Sequence, residues 1–426
     1  MCNWPRDIRL PWTDRTARPK PLDGDKRQRG SNVAVCLALL AAFCLLGGCA
    51  TIERLPAVPL AKASQISPLG ISDARFYVDD TPDDVERVAL SLLERRKSYE
   101  GRSFGKGKFA TNDYLAISGG GDDGAFGAGL LLGWTQRGDR PTFRIVTGIS
   151  TGALTAPFAF LGPEYDSKLK AVYTDTTADD IFSKRSLLAV VSDDAMTDST
   201  PMRNLIAGYL DQGMLARIAE EYDKGRLLLI ATTNLDQARA VFWNIGAIAK
   251  SNDPRARDLI IEILRASASI PGVFPPVMLD VTVDGQRFEE MHVDGGTIAQ
   301  AFLYPPSFNM KKYAAAARGA GKRRAFIIRN GRVFRPEQSI KKQTLAILGQ
   351  TVSTMTAASG LNDTYRIYLT TKRDGIDFNL AYIGDDFTMP YSGPFDKAYM
   401  NKLFNYGFEK GVAGYNWFKT PPGYNE

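Results

Sequence analysis

The chain has 426 residues, of which 44% are hydrophobic and 23% are charged, a balance that excludes a chain disordered throughout. The net charge is +6, but residues 1–48 hold eight basic and four acidic residues, so the rest of the chain carries only +2. This near balance gives no reason to expect nucleic acid as a partner of the folded part, because binding to a phosphate backbone depends on clustered positive charge.

The first recognisable segment is a leader. Arginine-rich sequence is followed by an uncharged apolar run of 14 residues, 33–46, which is too short to span a bilayer and is typical of a signal peptide. The next residues, LGGCA, resemble the lipobox of bacterial lipoproteins, in which cleavage precedes the cysteine and its thiol receives a diacylglycerol. The resemblance implies a signal peptide over residues 1–48 and lipidation of Cys49. An ordinary signal peptide or a short uncleaved anchor are the alternatives.

The other cysteines agree with this prediction, since Cys2, Cys36 and Cys44 all precede the expected cleavage site. The mature chain would keep only the lipidated cysteine, which excludes an intramolecular disulfide. Ala50 stands where an aspartate would favour retention at the inner membrane, so the lipoprotein resemblance implies anchoring in the cell envelope, at the outer rather than the inner membrane. The membrane is therefore an expected partner.

Residues 49–80 are rich in Pro, Ala and Ser and predict a tether. The main domain is expected over residues 81–335, opening with a helix on which Val85, Val88 and Leu92 share one face. Strand and helix patterns then alternate, which indicates an α/β fold with a central, mostly parallel sheet. Residues 336–426 are expected to form a C-terminal extension packed on the core. The predicted strands are YLAIS, RIVTGI, RLLLIATTN, ARAVFWNIG, RFEEMHVDGG and RRAFIIRNG.

The loop SGGGDDGAFGAG follows the first predicted strand and opens a helix. Its residues Gly119, Gly121 and Gly124 fit the G-x-G-x-x-G pattern of dinucleotide sites. However, the second strand ends in GISTG rather than in an acidic residue for a ribose, and Asp122 and Asp123 would repel a pyrophosphate. The other interpretation is that the loop amides, beside a helix N-terminus, hold a developing oxyanion.

A nucleophile for that oxyanion is offered by Gly148-Ile149-Ser150-Thr151-Gly152, which lies between a predicted strand and a predicted helix. This context is the one expected of a nucleophile elbow, although so short a pattern also occurs by chance. Gly148 and Gly152 relieve crowding at the sharp turn, and the backbone N–H of Thr151 can supply one oxyanion donor.

The base is either His292, the single histidine, or Asp294, which ends a predicted strand before Gly295 and Gly296. A triad ordered as serine, acid and histidine would need an acid after Ser150, and none stands out at a strand end in that interval. A partly desolvated carboxylate can itself accept a serine proton. We therefore predict a Ser150–Asp294 dyad. His292 is expected to be structural, although its position two residues before Asp294 would allow it to tune that carboxylate.

Four motifs in order, SGGGDDG, GISTG, RASASIPGVFPPV and VDGG, resemble those of patatin-like phospholipases and span roughly residues 113–305. The resemblance implies a three-layer α/β/α fold and ester hydrolysis by a Ser–Asp dyad without a metal or other cofactor. It implies that Ser150 is the nucleophile and Asp294 the base, and that the oxyanion loop contains Gly119, Gly120 and Gly121.

One residue departs from the family pattern. Asp123 stands where the family usually has Arg or Lys, so it either weakens the oxyanion hole or points away from it. The resemblance implies a membrane-anchored lipid acyl hydrolase that cleaves phospholipid or lysophospholipid esters through an acyl-enzyme. The alternatives are a transacylase or short-chain esterase on the same dyad, or a non-catalytic envelope lipoprotein, which only Asp123 favours.

Overall fold

A computed structural model describes residues 54–77, 82–103, 112–184, 195–311, 322–333, 337, 339–391 and 393–424. The predicted leader and Cys49 lie outside these residues. The described residues from Leu55 onward form one compact unit. Among them, no helix combines the length and the hydrophobicity that crossing a bilayer requires.

The strands within the described residues include every segment that the sequence predicted as a strand. They are β1 Arg75–Tyr77, β2 Asn112–Ile117, β3 Ile145–Ile149, β4 Ser183–Lys184, β5 Thr197–Asp198, β6 Leu227–Asn234, β7 Arg239–Asn244, β8 Val277–Val283, β9 Gln286–Asp294, β10 Arg323–Arg332 and β11 Asp377–Ile383.

The α-helices within the same residues begin with the one predicted to open the main domain. They are α1 Pro82–Ser103, α2 Gly124–Arg137, α3 Thr151–Leu161, α4 Asp166–Thr174, α5 Ala178–Ile181, α6 Thr200–Tyr209, α7 Gln212–Asp223, α8 Ile245–Lys250, α9 Ala256–Ser267, α10 Thr344–Asp374 and α11 Lys397–Ala413.

The main sheet has the strand order β1-β7-β6-β3-β2-β10-β11. Strands β6, β3, β2, β10 and β11 run parallel to one another. Strands β7 and β1 continue the sheet antiparallel at one edge, and the β8–β9 hairpin pairs with the end of β6, where Asp294 lies opposite Thr232. The carboxyl ends of β2 and β3 meet at one edge of the sheet, so the glycine loop, Ser150 and Asp294 converge there.

Side chains alternate between the two faces of the sheet, as a pleated strand requires. On β2, Leu115 and Ile117 join the core on one face, while Tyr114 and Ala116 join the core on the other. Helices α2, α3, α9 and α11 cover the first face, and α1 and α10 cover the second. The molecule is thus an α/β protein of three layers, which confirms the predicted fold class.

The C-terminal residues contribute more to the core than an extension would. Strand β11 pairs parallel with β10 and completes one edge of the main sheet. Helix α11 packs so closely on α2 that a Cβ atom at Gly129 would lie 2.0 Å from the carbonyl oxygen of Phe404. The prediction placed the end of the main domain at residue 335, but the sheet itself extends to residue 383.

The predicted tether, residues 49–80, is the clearest difference between prediction and structure. Val58 and Ile66 are buried against Phe288 and two valines of the β8–β9 hairpin. Strand β1 then pairs with β7 at the edge of the main sheet. The prediction was wrong over residues 55–77 because Pro- and Ala-rich composition does not prevent packing where a few apolar side chains meet an exposed hairpin and a free sheet edge.

Candidate active site

Ser150 occupies a strained turn between β3 and α3, with φ of 54° and ψ of −127°. A side chain other than glycine in this region costs about 1–3 kcal/mol and is characteristic of functional sites. Both flanking glycines are needed for space. A Cβ atom at Gly152 would lie 2.3 Å from the Ile117 carbonyl oxygen, and one at Gly148 would lie 2.4 Å from the Gly152 carbonyl oxygen. The turn therefore has the geometry of a nucleophile elbow.

The third sequence motif, RASAS at the end of α9, is hydrogen-bonded both to Ser150, which follows β3, and to Asp294, which ends β9. The Ser267 hydroxyl accepts a hydrogen bond from the Ser150 backbone N–H at 3.1 Å and donates one to the Ala231 carbonyl at 2.7 Å. The Asp294 backbone N–H donates to the Ser269 carbonyl at 2.9 Å. The motif thus fixes Ser150 and Asp294 in one frame, a role that its sequence alone did not indicate.

The Asp294 carboxyl group is buried at the end of β9, with 4% of the residue exposed. Its Oδ1 atom accepts a hydrogen bond from the Gly296 N–H at 2.7 Å. Burial raises the pKa of Asp294 to about 7, although the facing Ser150 hydroxyl and the Gly296 N–H both favour the charged form. Such a carboxylate is basic enough to accept a proton near neutral pH. A Cβ atom at Gly295 would lie 2.6 Å from the Ala231 carbonyl oxygen, which explains the glycine after Asp294.

Gly119, Gly120 and Gly121 were predicted to line the oxyanion loop, but in the structure Gly119 has a different role from the other two. The backbone N–H of Gly119 donates to the Gln300 carbonyl oxygen at 3.0 Å, so it is already occupied. The Gln300 side chain in turn donates to the Gly296 carbonyl at 2.8 Å. Gly119 therefore links the loop to the turn after Asp294 instead of presenting a donor.

The amides of Gly120, Gly121 and Thr151 remain as donors, since none has a hydrogen-bond partner in the part of the chain that the structure describes. Thr151 is the first residue of α3, where helix amides lack an intrahelical acceptor and the helix dipole favours negative charge. A donor set at the start of a helix beside the nucleophile can stabilise a tetrahedral oxyanion.

Asn330, just after the apolar run of β10, fixes the glycine loop. Its side chain donates to the Ser118 carbonyl at 2.9 Å and accepts from the Gly127 N–H at 3.1 Å. Its backbone carbonyl leaves no room for a side chain at Gly120, where a Cβ atom would lie 2.0 Å away. Sequence analysis did not identify Asn330. The signal was the polar pair Asn330–Gly331 near the end of β10, a strand that ends at the same sheet edge as β3.

Gly124 has a packing role. A Cβ atom there would lie 2.1 Å from the Thr151 Oγ1 atom, so the start of α2 touches the start of α3. The Thr151 hydroxyl is also bonded to the buried Tyr173 hydroxyl at 2.6 Å. The glycine pattern that fits a dinucleotide site thus serves to bring two helix N-termini together.

The two acidic residues of the loop face the C-terminal segment. Asp122 accepts a hydrogen bond from the Phe395 backbone N–H at 2.7 Å, and burial raises its pKa. Asp123, the departure from the family pattern, accepts from the Tyr399 hydroxyl at 2.7 Å. Burial, together with Asp123, raises the pKa of that tyrosine, so it keeps its proton to donate.

His292 is fully buried and belongs to a separate network. Its Nδ1 atom lies 2.9 Å from the Thr232 hydroxyl, and its Nε2 atom lies 3.4 Å from Glu290. The Thr232 oxygen also accepts from the Trp243 indole N–H, so we assign the histidine as neutral, with its proton on Nε2. Burial lowers the pKa of His292, although Glu290 opposes this.

The network ends in a buried ion pair. Arg75 on β1 donates two hydrogen bonds to the Glu290 carboxylate, at 2.5 and 3.0 Å. Burial raises the pKa of Glu290, but Arg75 and His292 outweigh it and lower the pKa to about 2. The histidine therefore helps to join β1, β6 and β9. The pKa of Asp294 is shifted by its burial and by hydrogen bonds from Ser150 and Gly296, and His292 is not among these causes.

Among the described residues, no group of three or more His, Cys, Asp or Glu side chains is placed to hold a metal ion. A family model described as patatin-like phospholipase matches residues 115–304. No curated protein matches the chain. Among solved structures, the chain is similar to VipD from Legionella pneumophila, with 13% identity, coverage of 72% of this chain and 68% of that chain, and a TM-score of 0.31.

The family match extends from the second residue of the YLAIS motif through the loop that follows Asp294, and so includes the glycine loop, the Ser150 turn and the RASAS motif. It supports a lipid hydrolase. Residues 115–304 of this chain thus match the patatin-like phospholipase family model.

Proposed function

We propose that the protein is a serine hydrolase that cleaves the carboxylic esters of phospholipids or lysophospholipids with Ser150 and Asp294. The observation that carries this proposal is the buried Asp294 carboxyl, with a pKa raised to about 7, facing a serine held in a strained turn at a helix N-terminus. A buried carboxylate with a perturbed pKa beside a potential nucleophile is characteristic of catalytic sites.

The reaction has two steps. Asp294 takes the proton of the Ser150 hydroxyl as its oxygen attacks the ester carbonyl carbon, and the amides of Gly120, Gly121 and Thr151 hold the oxyanion. The carbon–oxygen bond to the alcohol breaks, and Asp294 returns the proton to the leaving oxygen. Water then attacks the acyl carbonyl carbon as Asp294 takes its proton, the bond from that carbon to the Ser150 oxygen breaks, and Asp294 returns the proton to Ser150 as the fatty acid leaves.

The substrate class is supported by helix α10, which passes the site. A Cβ atom at Gly360 would lie 3.3 Å from the Gln300 side chain, the residue that links the glycine loop to the turn after Asp294. The half of α10 before Gly360 exposes four apolar side chains by 48–67%: Ile347, Leu348, Val352 and Met355. No Asp or Glu occurs between Glu337 and Asp363, whereas Lys341 and Lys342 are exposed. An apolar face with basic residues suits a membrane surface with anionic lipids.

We further propose that the chain is anchored in the cell envelope by a lipid on Cys49, at the outer rather than the inner membrane. This part of the proposal is supported by the apolar leader and the LGGCA sequence alone. Replacing Cys49 with serine should release the protein from membranes, and loss of a mass shift from an incorporated fatty acid in that variant would identify the modification.

A fluorophosphonate probe tests the dyad, because it labels only an activated serine. The wild-type protein is expected to label and to release free fatty acid from phospholipid vesicles, whereas Ser150→Ala should do neither. An added alcohol acceptor distinguishes the transacylase alternative, since that enzyme would form a new ester in place of the acid. A folded wild-type protein that does not label would favour a non-catalytic envelope protein. Asp123 was the only feature that favoured this last alternative. Its carboxylate accepts a hydrogen bond from the Tyr399 hydroxyl, so Asp123 has a structural role that does not require an inactive site.

A further inference from the structure

The two ends of the glycine loop are supported by different parts of the chain. The start of the loop is held by Gln300 and Asn330. The end of the loop, Asp122 and Asp123, contacts the α11 segment, residues 393–413, which leads into helix α11 and includes it. This segment lies outside the residues that match the family model, so the contact is a feature of this chain beyond the matched motifs.

Two hydrogen bonds join the α11 segment to the loop. The Phe395 backbone N–H donates to Oδ2 of Asp122 at 2.7 Å, and the Tyr399 hydroxyl donates to Oδ1 of Asp123 at 2.7 Å. The Asp123 backbone N–H in turn donates to the Gly120 carbonyl oxygen at 3.2 Å, which closes the turn that presents the oxyanion donors. A displacement of Asp123 would therefore be transmitted to Gly120.

Helix α11 is a firm support because its backbone packs directly on that of α2. A Cβ atom at Gly407 would lie 2.3 Å from the Phe126 carbonyl oxygen, and one at Gly411 would lie 2.6 Å from the Leu130 carbonyl oxygen. Gly133 on α2 faces the backbone of α11 in the same way. Backbone contact on this scale fixes the relative position of the two helices, since close-packed interiors leave little room for adjustment.

A loop built from glycines needs such support. Gly121 has a φ of 59°, and glycine can leave such a conformation for many others at little cost. Oxyanion donors are effective only if they are already oriented when the charge develops. The precision of the donors at Gly120 and Gly121 must therefore come from the contacts at both ends of the loop.

We propose that Tyr399 is a positioning residue that holds the oxyanion loop through Asp123. Helix α11 thereby supports the active site from outside the matched motifs. The hydroxyl can act as a permanent donor, because burial and the neighbouring Asp123 raise its pKa. The expected effect on rate rests on the proposed hydrolysis, whereas the link between α11 and the loop can be measured without turnover.

The test compares variants that break this link from either side. Tyr399→Phe removes the hydroxyl donor, and Asp123→Ala removes its acceptor, so the second variant replaces the first if Tyr399→Phe does not fold. Tyr406→Phe is the matched control. Tyr406 lies seven residues further along α11, roughly 10 Å, and its hydroxyl donates to Asp386 at 2.6 Å. This control thus loses the same kind of bond away from the loop.

Turnover of a soluble ester is measured first, with circular dichroism to check folding. Tyr399→Phe and Asp123→Ala should each lower kcat by about tenfold and change KM by no more than about twofold, because the loop acts on the transition state. The double variant should lose no more than either single variant, since both remove one bond. Tyr406→Phe should keep the wild-type kcat.

Hydrogen exchange followed by mass spectrometry reports on the loop without turnover. The amides of Asp123 and Gly124 are bonded within the loop, and they should exchange at least about fivefold faster in Tyr399→Phe than in wild type or Tyr406→Phe. If wild type turns over no ester, the proposed hydrolysis fails, and the exchange measurement still decides whether Tyr399 holds the loop.

Three results would overturn the inference. The first is a folded Tyr399→Phe that keeps either the wild-type kcat or the wild-type exchange of the loop amides. The second is a double variant in which the two single losses multiply, since Tyr399 would then not act through Asp123. The third is a Tyr406→Phe variant that shows the same losses, which would indicate a general effect of weakening α11.

Discussion

In the proposed reaction Asp294 is the base, and its burial is the cause of its basicity. Taking a carboxylate out of water disfavours its charged form, and this effect exceeds the help that Ser150 and Gly296 give to the charge. The resulting pKa of about 7 means that the carboxyl is protonated in acid, when it cannot accept a proton, and ionised above neutral pH.

This pKa predicts the pH dependence of the reaction. The value of kcat/KM should rise about tenfold per pH unit below pH 7 and reach a plateau above it, because only the ionised Asp294 can take the Ser150 proton. Hydrolysis of a soluble ester between pH 5 and 9 would measure this. A profile that is already flat from pH 5 upward would show an ordinary aspartate and contradict the assignment.

Ser267 is a positioning residue for the nucleophile, since its hydroxyl holds the Ser150 backbone N–H. Ser267→Ala should lower kcat by about tenfold or more with little change in KM, because a lost hydrogen bond of this kind costs about 1–3 kcal/mol and loosens the turn.

Ser269→Ala is the matched control for this variant. Ser269 holds Asp294 through its backbone carbonyl, which alanine retains, and its buried hydroxyl donates a hydrogen bond to the Arg265 carbonyl near the end of α9. Equal losses of kcat in the two variants would show a general effect of altering this motif and would refute a specific role of the Ser267 hydroxyl.

At the scale of elements, the glycine loop is tightly packed at Gly120 and has open space at Gly121. Gly120 has the Asn330 carbonyl oxygen where a Cβ atom would be, whereas a Cβ atom at Gly121 would meet nothing within 4 Å. Gly120→Ala should therefore displace the loop and reduce kcat by about a hundredfold, the scale of losing an oxyanion donor.

Gly121→Ala tests the same loop without the clash. Its φ of 59° costs an alanine only about 1–2 kcal/mol, so its kcat should stay well above that of Gly120→Ala. Steady-state kinetics and thermal unfolding of both variants would measure this. If Gly120→Ala kept full activity, the loop would not be part of the oxyanion site.

The exposed half of α10 predicts a difference between aggregated and soluble substrates. Replacing Leu348 and Met355 by serine should reduce hydrolysis of phospholipid vesicles by about tenfold, because it removes apolar surface that would otherwise be buried in the lipid. Hydrolysis of a short soluble ester should not change. The control changes Thr351 and Thr354, exposed on the same helix, to serine. Equal losses on both substrates would contradict a docking role.

At the scale of the molecule, much of the fold could be predicted because its signals are local. The buried strand β6 and the strand–turn–helix at Ser150 show in short stretches of sequence, and both lie where they were expected. The resemblance of the four motifs to the family also implied that the glycine loop, Ser150 and Asp294 share a site.

The remaining features depend on contacts between distant residues. Strand β1 pairs with β7, more than 160 residues away, and its Arg75 neutralises Glu290 inside the core. The occupied amide of Gly119 and the support from Asn330 likewise arise from tertiary packing. Local composition gives no measure of such contacts, which is why a Pro-rich stretch predicted a tether where the chain in fact completes the sheet.

The central claim is that Asp294, not the lone histidine, is the base. The most direct measurement is ester turnover by Asp294→Asn and His292→Gln, with Ser150→Ala as the blank and folding checked by circular dichroism. His292→Gln is expected to be less stable by about 1–3 kcal/mol, because its buried partners lose a hydrogen bond.

The prediction is that His292→Gln stays within about threefold of the wild-type kcat/KM, while Asp294→Asn loses about a hundredfold or more and approaches the blank. A folded His292→Gln as inactive as Ser150→Ala, beside an active Asp294→Asn, would contradict the account and make the histidine the base.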